Sequence, residues 1–303
     1  MAERLDWARD GLDWPLRETS RFVEAAGLRW HVQVQGAGPP LVLLHGTGAS
    51  THSWRDVAPL LASRWQVIAP DLPGHGFSDR APSRTTTLPG MAAALRALLD
   101  ALGARPAGLV GHSAGAAIAA RLALDGGLPD ARAIVSLNGA FVPFAGVMRI
   151  LSPAARLLAA TPIAARIAAA RARDRSAVER LLASTGSRLD PRGRELYARL
   201  VQSPGHVAGA LAMMAGWDLE SLWRDLPRLA VPLRLVVGRN DGTVPPADAE
   251  RVRARVPGAT VERLPGLGHL MHEEAPARLA ALVETLLAAP LSTEPDTVRS
   301  GPC

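Results

Sequence analysis

The sequence predicts an α/β fold, in which a mostly parallel central sheet is covered by helices on both faces. Short continuous apolar runs that end in glycine or proline loops are typical of strands buried in a parallel sheet. These runs alternate with segments whose apolar residues recur at helical spacing. The 303 residues suffice for one large domain with an inserted subdomain.

The predicted elements follow one another in this alternating order. Residues 21–38 predict two strands joined by a glycine-containing turn. Core strands are predicted in "PPLVLLHG", "WQVIAPDLPGHG", "PAGLVGHS", "ARAIVSLNG", "VPLRLVVGRND" and "ATVERLPGLGH". Helices are predicted in "SWRDVAPLLASR", "LPGMAAALRALLDALG" and "AGAAIAARLALDGG", near 246–255, and at 275–289.

One long segment breaks this alternation. Residues 141–230 are rich in Ala, Arg, Leu and Pro and have helical spacing, so we interpret them as a helical cap (lid) inserted into a core formed by 21–140 and 231–290. We expect residues 1–20 to form a loosely attached N-terminal arm. The polar, proline-containing segment 291–303 predicts a disordered tail.

The composition narrows the class of protein. Hydrophobic residues make up 48% and charged residues 20%, which is typical of a soluble globular chain. No apolar run reaches the length of a membrane span, and the N-terminus lacks the apolar region of a signal peptide. We therefore expect a cytoplasmic protein. The single cysteine, Cys303, excludes an intrachain disulfide and a cysteine metal cluster.

The positive charge is concentrated in the predicted cap. The net charge is +6, and all 34 basic residues are arginine. Residues 141–230 hold 13 arginines and seven acidic residues, whereas the two signs balance over the rest of the chain. A nucleic-acid surface would require basic residues interleaved with aromatics or a known motif. Neither is present, so we expect no nucleic-acid partner.

Ser113 in "GHSAG" is the candidate nucleophile. It stands between a predicted strand and a predicted helix, which is the context of a nucleophile elbow, a sharp turn that lifts the hydroxyl above the sheet. The small neighbours Gly111, Ala114 and Gly115 allow that turn and close helix packing. The alternative is a serine that only caps the helix.

A serine nucleophile needs a base and an orienting acid, which follow in this fold in the order acid, then histidine. Asp241 follows a core strand in "GRNDGTVP", where it is also an Asx-turn candidate. His269 follows the last strand in "LPGLGHLMHEEAP" and is favoured over His272, which leads into a helix. "HEE" lacks the spacing of a zinc-binding H-E-x-x-H motif, so we expect no metal.

An oxyanion formed by attack on a carbonyl requires preorganised N–H donors. The backbone N–H of Ala114, after the nucleophile, is one candidate. The other is Thr47, in the "HGTGAS" loop after a core strand. This chemistry needs no organic cofactor and no metal.

These motifs together resemble the α/β-hydrolase fold family. The resemblance covers residues 21–289 and rests on "HGTGAS", "DLPGHGFSD", "GHSAG", "GRNDGTVP" and "GLGHLMHEEAP" in this order. It implies a Ser113–Asp241–His269 triad and places the cap at 141–230. A serine at the elbow argues against haloalkane dehalogenases and epoxide hydrolases, which have aspartate there. Asp71 and His75 in "DLPGHG" are interpreted as structural or pocket-edge residues.

A narrower resemblance is to the BchO-type magnesium-chelatase accessory proteins of bacteriochlorophyll biosynthesis. It rests on "WPLRETSRFVEAAGLRWHVQVQG", "LLHGTGASTHSWRDVAPLLA", "IAPDLPGHGFSDR", "GHSAGAAIAARLALDG" and "SLNGA". It implies a tetrapyrrole pathway, association with the chelatase and a location in the cytoplasm or at the photosynthetic membrane. The chain has no Walker A motif, so it is not the ATP-driven subunit.

The cap has three interpretations. In the first, its apolar residues and arginines bind a flat porphyrin edged with propionates. In the second, they are solvated helix faces over an ordinary lid core. In the third, they rest on an anionic membrane. The expected pocket residues are His45, Gly46, His112, Phe141, Phe144, Met148, Met214 and Trp217.

Three functions remain open from the sequence. The first is a serine hydrolase acting on an ester-type bond in the magnesium-tetrapyrrole pathway. The second is a non-catalytic porphyrin-binding or delivery factor for magnesium chelatase that retains the triad. The third is a generic carboxylesterase.

Overall fold

A computed structural model describes residues 3–143 and 161–288, and it contains one eight-stranded sheet. The strands are β1 (Ser20–Ala25), β2 (Leu28–Gln35), β3 (Pro40–Leu44), β4 (Gln66–Pro70), β5 (Gly108–His112), β6 (Ile134–Leu137), β7 (Leu233–Gly238) and β8 (Thr260–Leu264). Their order is β1-β2-β4-β3-β5-β6-β7-β8. The β1/β2 and β2/β4 pairs are antiparallel and all other pairs are parallel, which confirms the predicted fold class.

The described helices lie between these strands. They are α1 (Trp7–Asp10), α2 (Ala58–Leu61), α3 (Leu88–Ala101), α4 (Ala114–Leu124), α5 (Pro162–Arg171), α6 (Arg175–Ser184), α7 (Pro191–Val201), α8 (Pro204–Gly216), α9 (Glu220–Asp225), α10 (Asp248–Arg253), α11 (Met271–Glu274) and α12 (Pro276–Ala288). Short 3₁₀ helices occupy Arg17–Thr19, Thr51–Trp54 and Leu226–Arg228.

The apolar runs of the parallel strands are buried on both sides of the sheet. In β3, Leu41 and Leu43 join the core beneath α2 and α12, whereas Val42 and Leu44 join the core beneath α3 and α4. Successive strand residues point to opposite faces, so a strand covered on both faces reads as a continuous apolar run rather than an alternating one.

Helices α5 to α9 lie between β6 and β7, where the sequence predicts the cap. They pack on the core at two places: α7 contacts the 3₁₀ helix Thr51–Trp54, and Met213 and Leu222 join the core on the α3/α4 side. Phe144, Met148 and the predicted tail 291–303 lie outside the described residues.

The N-terminal arm is more tightly held than the sequence predicts. Trp14 is buried with Phe77 of the core and Leu196 of α7. Asp13 forms ion pairs with both Arg192 and Arg199 of α7. The arm therefore bridges the core and the helices between β6 and β7. Over the described ranges, no helix combines the length and apolar character that crossing a bilayer requires.

Candidate active site

Ser113 joins the end of β5 to the start of α4 in a strained conformation. Its φ is 51° and its ψ is −116°, whereas a serine that caps a helix has extended backbone. Its side chain makes no capping hydrogen bond to the helix. A non-glycine residue held at positive φ costs about 1–3 kcal/mol and clusters at functional sites. The conformation favours the elbow over the capping alternative.

The glycines around Ser113 permit close packing of the elbow. A Cβ on Gly115 would lie 2.3 Å from the carbonyl oxygen of Leu44 in β3. A Cβ on Gly111 would lie 2.5 Å from the backbone of Ala116 in α4. No side chain fits at either position, so the G-x-S-x-G spacing follows from the packing of α4 on the sheet.

Asp241 and His269 form a hydrogen-bonded pair at the ends of β7 and β8. The His269 Nδ1 lies 2.8 Å from the Asp241 Oδ2, and both side chains are buried. The other carboxylate oxygen of Asp241 accepts the backbone N–H groups of Thr243 and Val244 at 2.7 and 2.9 Å. One carboxylate thus fixes its own turn and orients the imidazole.

The main chain of His269 is held from two sides. Its carbonyl oxygen accepts the Nε2–H of His112 at 2.9 Å and the Nδ2–H of Asn138 at 3.0 Å. Asn138 also donates to Gly268 and accepts the N–H of Gly238, the last residue of β7. Sequence reasoning missed Asn138. The sequence does contain a signal for it, namely an asparagine directly after a core strand. Asparagine tolerates the left-handed backbone conformation found there, where φ is 47°.

Ser113 is connected to this pair through the preceding residue, His112. The ring centroid of His112 lies 4.6 Å from that of His269, and the two ring planes are tilted by 57°. Within the described ranges, no hydrogen bond links the Ser113 hydroxyl to His269. Such catalytic hydrogen bonds are often long without a ligand and tighten in the substrate complex.

The predicted oxyanion donors flank the elbow. Ala114 is the first residue of α4, so its N–H has no acceptor within the helix. Thr47 lies in the loop after β3, where a Cβ on the adjacent Gly46 would lie 3.0 Å from the Cβ of Ser113. In the described part of the chain, neither of these two N–H groups donates to another protein atom. Both are therefore free to bind a ligand oxygen.

His45 and His272 are buried and already engaged. The Nε2 of His45 accepts the N–H of Leu72, so its Nδ1–H donates to the Gly46 carbonyl. Burial lowers the pKa of His45 below its ordinary value. The ring of His45 thus links the loop after β3 to the loop after β4. His272 donates to Ser53, and burial lowers its pKa to about 3.

Three further predicted pocket residues, Met214, Phe141 and Trp217, differ in their exposure. Met214 is 49% exposed, whereas Met213 is fully buried and its sulfur lies 3.6 Å from the Thr47 hydroxyl. The helical turn places Met213, not Met214, on the face of α8 that meets the core. Phe141 is buried in the core beneath α4, and Trp217 is partly buried.

Helix α8 also holds the loop that carries Thr47. His206 donates from Nε2 to the carbonyl of Gly48 and accepts the N–H of Gly76 at Nδ1, both at 3.0 Å. Burial lowers the pKa of His206 to about 4, which keeps the ring neutral, as this pair of bonds requires. Sequence reasoning missed this residue.

The "DLPGHG" loop is organised by Asp71. Its carboxylate accepts the N–H groups of Thr51 and Phe77 and bonds the Nδ1 of His31 at 2.8 Å. The charge and hydrogen bond of His31 hold the pKa of Asp71 well below its usual range despite burial. His75 is fully buried in the same loop. These contacts agree with a structural interpretation of both residues.

Among the described residues, no group of three or more His, Cys, Asp or Glu side chains forms a metal site.

Comparison with known proteins gives the following similarities. A family model for the alpha/beta hydrolase fold matches residues 39–276. The magnesium-chelatase 30 kDa subunit of Rhodobacter capsulatus is 42% identical over 277 residues, which cover 89% of this chain and 95% of that protein.

Among solved structures, an alpha/beta hydrolase fold protein from Burkholderia ambifaria matches with a TM-score of 0.72 at 24% identity, over 93% of this chain and 99% of that one. An esterase from Exiguobacterium antarcticum matches with a TM-score of 0.71 at 20% identity, over 88% and 99% of the two chains. At these identities the structural likeness establishes the fold alone.

Proposed function

This chain belongs to the α/β-hydrolase fold family, and from that membership and the geometry of its site we propose that it is a serine hydrolase that cleaves an ester-type bond in the magnesium-tetrapyrrole pathway. The observation that carries the proposal is the buried Asp241–His269 pair beside a strained serine whose hydroxyl caps no helix. That combination would supply the nucleophile, the base and the orienting acid that the reaction needs.

The proposed reaction proceeds in two balanced steps. The Ser113 oxygen attacks the ester carbonyl while His269 takes its proton, and Asp241 stabilises the imidazolium. The tetrahedral oxyanion is held by the N–H groups of Thr47 and Ala114. His269 then protonates the leaving alcohol, which departs and leaves an acyl-serine. In the second step, water deprotonated by His269 attacks the acyl-serine carbonyl. The Ser113 oxygen then leaves, takes its proton back from His269, and the acid product is released.

The substrate class rests on the relatives and on the cap. A relative that covers nearly the whole chain is named as a magnesium-chelatase subunit, which supports a tetrapyrrole or related pathway ester, and association with the chelatase. Residues 141–230 would act as the lid. Arg166, Arg171 and Arg173 form no ion pair with any residue of the described ranges, so they are available to the propionates of such a substrate.

The test of the hydrolase proposal is labelling by a fluorophosphonate probe. Wild type should be labelled at Ser113, and Ser113→Ala should lose the label while keeping its thermal midpoint. Ser63→Ala is the matched control, because Ser63 is an exposed serine on the same domain. A wild-type protein that stays unlabelled at Ser113 would overturn the proposal.

A second candidate is a non-catalytic factor that binds porphyrin and delivers it to the chelatase. The name of the relative, a magnesium-chelatase subunit, favours it. Complementation of a deletion strain separates the two. Full pigment synthesis with Ser113→Ala supports delivery, whereas accumulation of an esterified intermediate supports hydrolysis. Normal pigment in the deletion strain itself would support a generic carboxylesterase.

We also propose a peripheral contact of the cap with anionic membrane. Ile163 and Ile167 are more than half exposed on α5, one turn apart, beside Arg166 and Arg171. Exposed apolar side chains next to cations offer both apolar and electrostatic contacts to an anionic bilayer surface. Wild type should sediment with phosphatidylglycerol vesicles and not with phosphatidylcholine vesicles. An Ile163→Ser/Ile167→Ser variant that sediments equally would refute the contact.

A further inference from the structure

A single backbone carbonyl bridges the acid loop and the base loop. The carbonyl oxygen of Thr185, just after α6, accepts the N–H of Gly242 at 3.1 Å and the N–H of His269 at 3.0 Å. Gly242 follows Asp241 directly in the chain. The two loops that carry the candidate acid and base are therefore tied to each other through a residue that belongs to neither.

The same segment makes further bonds to the base loop. The Ser187 hydroxyl accepts the N–H of Leu270 at 2.8 Å. The Glu274 carboxylate accepts the N–H of Gly268 at 2.8 Å and the N–H of Arg188 at 3.2 Å. The residues on both sides of His269 are thus anchored to the segment that follows α6.

The fit between the three loops is backbone against backbone. Gly186 has a φ of 75°, and a Cβ there would lie 1.8 Å from the Asn240 carbonyl oxygen. A Cβ on Gly242 would lie 2.4 Å from the Ser184 carbonyl oxygen, and one on Gly268 would lie 2.4 Å from Gly186. Because no side chain separates the loops, their backbones lie close enough for the hydrogen bonds of the Thr185 carbonyl to form.

We propose that the segment Thr185–Ser187 is a positioning element that keeps Asp241 and His269 in hydrogen-bonding register, so that the helices between β6 and β7 set the alignment of the acid–base pair. The inference rests on the proposed function for its catalytic consequence. A displacement of α6 would withdraw the Thr185 carbonyl from both loops at once. The acid–base pair would then lose its alignment while the elbow at Ser113, held by β5 and α4, stayed formed.

The test compares two glycine substitutions with the same backbone strain. Gly186→Ala places a methyl group against Asn240. Gly126→Ala imposes the same cost at a φ of 74°, but a Cβ there meets nothing within 4 Å. We expect Gly186→Ala to lower kcat on p-nitrophenyl acetate by about 30-fold or more with little change in KM, as expected for a misplaced catalytic group. Gly126→Ala should stay within about twofold of wild type.

The pH profile and the His269 proton separate positioning from a purely structural role. The titratable side chains that face His269 are Asp241, His112 and His272, and burial keeps both of these histidines neutral by lowering their pKa values. A loosened Asp241 stabilises the imidazolium less, so the acid limb of kcat/KM should move to lower pH in Gly186→Ala. The downfield NMR resonance of the His269 Nδ1 proton should also weaken in this variant.

A milder variant guards against a protein that fails to fold. Ser187→Ala removes only the acceptor for Leu270, and we expect a threefold to tenfold loss of kcat with the same direction of pH shift. Unchanged kcat and an unchanged Nδ1 resonance in both variants would overturn the inference. If wild type is unlabelled by the fluorophosphonate, the hydrolase proposal fails. The resonance still decides the positioning role, because it reports the Asp241–His269 bond without turnover.

Discussion

The amide of Asn138 provides a sharp test of how the site is held, through the substitution Asn138→Asp. The Nδ2–H groups donate to Gly268 and His269 at 2.9 and 3.0 Å, and Oδ1 accepts from Gly238. Aspartate keeps the size and the acceptor, but its second oxygen faces two carbonyl oxygens. Two hydrogen bonds are therefore replaced by repulsion in a buried position.

The magnitude follows from these contacts. Two lost bonds and two partly unsatisfied buried carbonyls cost about 3 kcal/mol of unfolding free energy at pH 7. A cost of that size corresponds to a native carboxyl pKa about two units above the ordinary ~3.9. Because the native state then binds the proton more tightly than the unfolded state, the lost stability returns as pH falls from ~6 to ~4. The deficit relative to wild type should shrink to about 1.5 kcal/mol at pH 5.

The assay is guanidinium unfolding followed by the fluorescence of the seven tryptophans, at pH 7 and pH 5, for wild type and variant. Asn240→Asp is the matched control, because Asn240 is the other asparagine of the chain and is exposed. It should stay within about 0.5 kcal/mol of wild type. An Asn138→Asp protein as stable as wild type at pH 7, or with the same deficit at both pH values, would refute the reasoning.

Three other predictions concern the triad, a buried histidine and a buried ion pair. Asp241→Asn should lower kcat by about 10⁴-fold with an unchanged fold, because an amide favours the wrong imidazole tautomer; activity near wild type would exclude Asp241 as the orienting acid. The lowered pKa of His206, about 4, means that only the unfolded state takes up the proton between pH 6.5 and 4, so stability is complete above pH 6.5 and falls below it, by about 2 kcal/mol between pH 7 and 5. Between pH 7 and 5, the free energy of unfolding of His206→Asn should fall by about 2 kcal/mol less than that of wild type. An equal fall in both proteins would contradict the assignment. Arg55→Met leaves the buried Glu273 carboxylate without its 2.5 Å partner and should cost about 3–5 kcal/mol; adding Glu273→Gln should recover most of that loss, and an equal loss in single and double variants would count against a buried charge as the cause.

The strands and the order of the candidate triad could be predicted from the sequence because their signals are local. The apolar runs ending at Leu44, His112 and Gly238 mark strands buried on both faces, and glycines beside Ser113 mark an elbow that excludes side chains. The turn chemistry of "NDG" likewise identified Asp241, whose carboxylate caps that turn.

The contacts that hold the site could not be predicted because they join distant segments or use backbone atoms. Thr185 acts through its carbonyl oxygen, which every residue type possesses, so the sequence carries no signal for it. Met213 and Met214 are both apolar in an almost wholly apolar helix, and only packing against Thr47 decides which is buried. No local pattern pairs Asp13 with arginines about 180 residues away, so the sequence holds no signal that the arm is anchored.

The division of the site between two stretches of sequence has a consequence for synthesis on the ribosome. The elbow strand β5 pairs with β6, and β6 pairs on its other edge with β7, where Val236 lies opposite Leu137. Ser113 and the Thr47 loop leave the ribosome with the first half of the chain, whereas Asp241 and His269 emerge only after the segment that precedes β7. Domains fold vectorially as they emerge, and long-range strand pairing forms late. The nascent chain therefore carries Ser113 without His269 until the residues after β8 have emerged, and any chemistry that needs both side chains must wait for that strand.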